Sequence, residues 1–136
     1  MGNRAVITFT NGSDKTYPKN GIGYYLHWNG GRASVEAFLQ ATRAVMGDRL
    51  GDETYGKARL AQFIGTFIGG NLSFGIGTLD ELDCDNGDNG LYIIDPKTMR
   101  ITGREYFTSN EQNSYDVKEM ADFIVRKIKA AETVTE

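Results

Sequence analysis

The order of its apolar patterns marks this chain as α+β, with a largely antiparallel sheet and three helices. Three observations carry that reading. The chain has 136 residues, which is room for one core. Its patterns run β-β-α-α-β-β-β-α, so strands and helices segregate rather than alternate. No repeat, linker or low-complexity run marks a boundary, so a single domain is expected over 1–136, with the tail 132–136 frayed.

Each element has its own warrant. Residues 4–10, RAVITFT, alternate and are rich in β-branched side chains, which predicts a strand. A turn at 11–14 and a loop at 16–20 containing Pro18 lead to a second strand over 21–28. In that strand Tyr24, Leu26 and Trp28 share one face, and Tyr25 and His27 share the other. Asn29-Gly30-Gly31 turns the chain into a first helix capped by Ser34. Val35, Phe38, Leu39, Thr42, Val45 and Met46 line its inner side, and Gly47 ends it. A polar loop at 48–53 precedes a second helix over 54–68. Ala58, Ala61, Phe63, Ile64, Phe67 and Ile68 make it the expected buried helix, stopped by Gly69-Gly70. A short strand is expected over 72–76, then an acidic loop over 78–90, TLDELDCDNGDNG. Residues 91–95 and 99–108 form a hairpin across Pro96-Lys97-Thr98, and 109–113 is a loop. Asp116 caps the last helix, with Val117, Met120, Phe123, Ile124 and Ile128 inward.

Composition narrows the class. Hydrophobic residues at 40% and charged residues at 24% are ordinary for a soluble domain. No apolar run approaches the ~18 residues of a membrane span, and MGNRAVITF lacks the apolar segment of a signal peptide, so none is expected. The single Cys84 excludes an internal disulfide framework and fits a reducing cytoplasm, the expected compartment. A net charge of −3 argues against nucleic-acid binding.

The search for catalytic sets fails. His27 is the only histidine, lies mid-strand, and has no nucleophile in a recognisable elbow. Cys84 sits among carboxylates that would raise its pKa. One His and one Cys cannot furnish a zinc site, and the acidic loop fails the EF-hand ligand spacing in every register. No catalytic residue, metal or cofactor is therefore expected. The turn after the second strand is more suggestive. Tyr25, His27 and Trp28 enter it, Arg32 leaves it, and a helix N-terminus follows, a combination suited to a flat ring and a phosphate. Its alternative is an ordinary strand–turn–helix connection. Arg59 stands in the second helix. Arg100 and Arg104 have even spacing, which places both on one sheet face with Thr102 and Tyr106. Guanidinium forks suit phosphates, and surface ion pairing is the alternative for each.

The pieces YLHWNGGR, SVEAFL, YGKARL, DNGDNG and GREYF resemble a family of small proteins from phages and mobile elements of Gram-positive bacteria. The chain is also similar to the Thoeris anti-defence sponges, phage proteins that sequester cyclic ADP-ribose-type signals without cleaving them. That resemblance implies a non-enzymatic homo-oligomer, a dimer or higher, acting in the host cytoplasm on a small cyclic adenine nucleotide. By its pattern Arg32 and Arg104 hold phosphates, Phe74 stacks on the ligand and Asn89 reads a polar edge, with Tyr25, His27 or Trp28 of the turn as further stacking rings. A reading of another class is a protein-binding inhibitor, such as an anti-CRISPR or anti-restriction protein, presenting its acidic loop. A hydrolase stands third.

Overall fold

The computed structural model describes residues 3–11, 16–68, 72–107 and 116–134. Its elements are β1 (Ala5–Phe9), β2 (Ile22–Leu26), α1 (Arg32–Met46), α2 (Glu53–Ile68), β3 (Phe74–Thr78), β4 (Leu91–Asp95), β5 (Arg100–Glu105) and α3 (Val117–Val134). Two short 3₁₀ turns, Gly47–Arg49 and Leu79–Glu81, complete the order. The fold is α+β, in the expected order. The expected breaks at 12–14 and 69–70, and the loop at 109–113, lie outside the described residues.

The sheet runs β3-β2-β1-β4-β5 and is antiparallel except for the central β1–β4 pair. All five residues of β1 are buried, because the strand is covered on both faces. Ala5, Ile7 and Phe9 join Tyr24, Leu26, Tyr92 and Ile94 under the helices. On the other face Val6 meets Leu79, Leu91 and Ile93, with Tyr25, Leu82 and Cys84 beside them.

Five details differ from the sequence reading. Ser34 is not the cap of α1. The Gly30 N–H donates to Asn3 O at 2.9 Å and the Tyr92 hydroxyl donates to Gly30 O at 2.7 Å. Those ties turn the chain into the helix at Arg32, with Gly31 as N-cap, and leave Ser34 fully buried inside the first turn. Second, α1 is the more buried helix. It packs against both α2 and α3 and buries Val35, Ala37, Phe38, Leu39 and Ala41, while Phe67 and Ile68 of α2 stay half-buried at the margin. Third, β3 starts at Phe74, since its register is set by Leu26↔Phe74 and Ile22↔Thr78, and Leu72 is fully exposed. Fourth, a bulge pairs Ile93 with Gly103 but Ile94 with Ile101. The extra residue, Thr102, reverses the alternation. Arg104 therefore sits with Tyr92 on the helix side, and Arg100 sits with Asp95 on the opposite face. Fifth, Met120, Ile124 and Ile128 form the inner stripe of α3, and Phe123 lies on its exposed flank. The backbone of α3 also runs to Val134, past the expected end at residue 132.

Gly47 ends α1 at a positive φ of 51°, and Asp116 accepts the Glu119 N–H at 3.0 Å, both where expected. Gly56 of α2 lies against the β4–β5 turn, where a Cβ would stand 2.7 Å from Met99 Cε.

Candidate functional site

The seven residues expected to bind a ligand fall in three separate settings. Tyr25, His27, Trp28 and Arg32 lie at the β2–α1 corner. The Tyr25 hydroxyl is 3.0 Å from His27 Nδ1, and the His27 ring meets Trp28 edge-on at 5.0 Å. Trp28 is exposed, and burial pushes the Tyr25 hydroxyl pKa up. Arg32 points outward and lies 3.5 Å from Glu36 one turn along the helix. Gly30 has a packing explanation: a Cβ would stand 2.5 Å from Asn3 O and 2.7 Å from the Ala5 Cβ. Strand β1, not a ligand, requires the glycine there.

Phe74 belongs to the second setting, the core under the helices. It packs edge-on to Tyr24 at 5.9 Å, on the opposite face of the sheet from Tyr25.

Asn89 and Arg104 form the third. Asn89 is fully buried, and both its backbone N–H and its Nδ2 donate to Arg4 O, at 3.0 and 3.1 Å. Arg104 Nη2 donates to Asn89 O at 2.9 Å. Its guanidinium lies 4.2 Å from the centre of the Tyr92 ring and 3.5 Å from that of Phe107. These contacts join the start of β1, the start of β4 and the end of β5 into a polar lock. The adjacent acidic loop is built into it. Asp88 receives Arg4 Nε at 2.8 Å. Asn86 spans the turn, donating Nδ2 to Asp83, Cys84 and Gly90 carbonyls and accepting the Asp88 and Gly90 N–H groups at Oδ1. Burial, then Asp83 and Glu105, push the Cys84 thiol pKa up, away from reactivity.

A fourth setting, which the sequence reading treated as a polar loop and a helix surface, has the shape of a binding site. At the turn from α1 to α2, a cleft of about 460 Å³ is lined by Val45, Met46, Arg49, Tyr55 and Arg59. That volume falls in the range of small-molecule sites. Val45 and Met46 form an apolar floor. Tyr55 is 50% exposed, with the Arg49 guanidinium 4.4 Å from its ring centre. Arg49 also reaches Asp52 at 3.2 Å. Arg59 lies one helical turn beyond Tyr55 on the same side of α2. It makes no ion pair or hydrogen bond among the described residues. Two guanidiniums therefore line a cleft that holds an aromatic ring, and one of them, Arg49, stacks on it and pairs with Asp52. The Tyr55–Arg59 spacing was readable as one helix face; Arg49 was not, since it lies on a 3₁₀ turn outside that helix.

A second cleft, of about 360 Å³, lies on the helix-free face between Tyr17, Leu79, Leu82, Leu91 and Tyr106. Among the described residues its only lining cation, Lys19, is matched by Asp80, which leaves it without the net charge to hold an anion. Among the described residues no three His, Cys, Asp or Glu side chains gather as a metal site, and no helix is long and apolar enough to cross a membrane. No protein-family model, curated protein or solved structure matches the chain significantly.

Proposed function

We propose that this protein is a non-catalytic binder that sequesters a small cyclic adenine nucleotide of the cyclic ADP-ribose type, blocking host anti-phage defence. The observation that carries this reading is the Arg49–Tyr55–Arg59 cleft. A half-exposed aromatic ring offers a stacking face for a base, and two guanidiniums offer forks for phosphates. The ligand would lie here rather than among Phe74, Asn89 and Arg104, which the fold spends on its own core and lock.

Calorimetry with cyclic ADP-ribose isomers and cyclic dinucleotides tests this, followed by analysis of the nucleotide recovered after denaturation. Binding with intact recovery supports sequestration. Recovery of a hydrolysed nucleotide makes the protein an enzyme, and no binding at micromolar concentrations ends the reading.

The second reading, a protein-binding inhibitor of the anti-CRISPR or anti-restriction kind, is favoured by the acidic loop. Asp80, Glu81, Asp83 and Asp85 are all exposed on a frame made rigid by Asn86. A preordered carboxylate surface suits a basic partner. Replacing these four with their amides would abolish inhibition on that reading and leave nucleotide binding unchanged on the first.

A further inference from the structure

We infer that the outer edge of β3 is a self-association surface, on which β3 of a second copy pairs antiparallel about a two-fold axis to make one sheet across two chains. The sheet has two edges, β3 and β5, and they differ in kind. β5 is RITGRE, bulged at Thr102, with Arg100, Arg104 and Glu105 along its six residues. Bulges and charges are the usual means of keeping an edge from pairing. β3 is FGIGT: five residues in regular register with β2, without charge, proline or bulge. Among the described residues only β2 pairs with it.

The side chains beside that edge are apolar and exposed. Ile76 is 55% exposed and its neighbour on β2, Ile22, is 42% exposed. Both stand on the face that carries Tyr24.

The sequence of β3 selects a second copy as the occupant, because the strand complements itself. Antiparallel pairing centred on Ile76 sets Ile76 opposite its copy, Gly75 opposite Gly77 and Phe74 opposite Thr78. The isoleucines then meet as a cross-strand pair, and the glycines let the backbones approach. Continued past the strand, the same register sets Asp80 opposite Leu72, so no carboxylate faces another. Such an interface is isologous and closes as a dimer, whereas β3 against β5 would be head-to-tail and open-ended.

Sedimentation velocity of the full chain, from low to high micromolar concentration, is the experiment. The wild type should reach twice the 15.0 kDa chain mass. Ile76→Lys should return it to a folded single chain whose melting temperature no longer depends on concentration, since the side chain is mostly in water in the single chain. Thr102→Lys, on the other edge, should leave the dimer intact. In a Cys84→Ser background, oxidised Ile76→Cys should give an intermolecular disulfide, which reads the register directly. A wild type that stays at one chain mass throughout overturns the inference, as does an assembly that survives Ile76→Lys. A dimer in which Ile76→Cys fails to cross-link overturns the two-fold register.

Discussion

The polar lock and the α1–α2 cleft are built from the same groups and use them differently. In the lock, the Arg104 guanidinium is held between two rings and donates to Asn89 O, while Asn89 is itself fully buried. In the cleft, the Arg49 guanidinium meets Tyr55 from one side only, and Arg59 stands in water beside it. A guanidinium over an aromatic ring is thus not in itself a sign of a ligand. What differs is exposure: the lock's groups are enclosed by the fold, whereas Tyr55 and Arg59 of the cleft face water. Lock residues should reveal themselves through stability, and cleft residues through affinity.

The largest effect is expected in the lock's loop. Asn86→Ala removes five hydrogen bonds and leaves the buried Asp88 N–H without its acceptor. A loss of about 3 kcal/mol follows, on a scale of ~1–3 kcal/mol for each unsatisfied buried group. Thermal and urea denaturation read it. A melting temperature within error of wild type would show that the loop is not part of the lock.

Arg104→Ala comes next. It removes the stacking on Tyr92 and Phe107 and the bond to Asn89 O, at a cost of about 1–2 kcal/mol in the same assays. Arg104→Lys should recover little, because an ammonium cannot stack in the slot between the two rings. If Arg104→Ala instead weakens nucleotide binding at unchanged stability, the two regions have been assigned the wrong way round.

The contrast explains what was legible in the sequence. The strands β1, β2, β4 and β5, the Gly47 stop and the Asp116 cap were legible because they depend on local alternation and local hydrogen bonds. Ser34 was misread because long-range ties from Asn3 and Tyr92 to Gly30, not a side-chain cap, set where α1 begins. The shared face given to Arg100 and Arg104 failed for a similar reason. A bulge is a property of two paired strands, and β5 alone reads as regular alternation. Asn89 and Arg104 were expected to meet a ligand, but a sequence does not distinguish a polar side chain spent on its own backbone from one kept for a ligand. Arg49 entered the cleft unannounced, since it approaches Tyr55 only after the 3₁₀ turn folds the chain back.

A smaller effect separates the acidic loop from the cleft by pH. Glu81 accepts both the Thr78 N–H, at 3.2 Å, and the Thr78 hydroxyl, at 2.7 Å, which hold its carboxyl below the usual glutamate pKa. Because the folded value is the lower one, this capping box is intact above the unfolded pKa and is lost as pH falls through the folded value. The Thr78 amide resonance should therefore titrate with a midpoint below that of a free glutamate, and Glu81→Gln should abolish the titration. A midpoint at or above the free value would mean that the box is open in solution.

The central claim is that the cleft, and not the lock or the β2–α1 corner, holds the ligand, and calorimetry on matched variants tests it most directly. Cyclic ADP-ribose isomers should bind the wild type. Arg59→Ala should weaken that binding about ten- to hundredfold, the loss expected for ~1.5–3 kcal/mol of charge-assisted hydrogen bonding. Its melting temperature should be unchanged, because Arg59 is exposed and takes no part in the core. Arg32→Ala should bind as the wild type does. Undiminished affinity in Arg59→Ala, or a comparable loss in Arg32→Ala, would contradict the account and return the site to the β2–α1 corner.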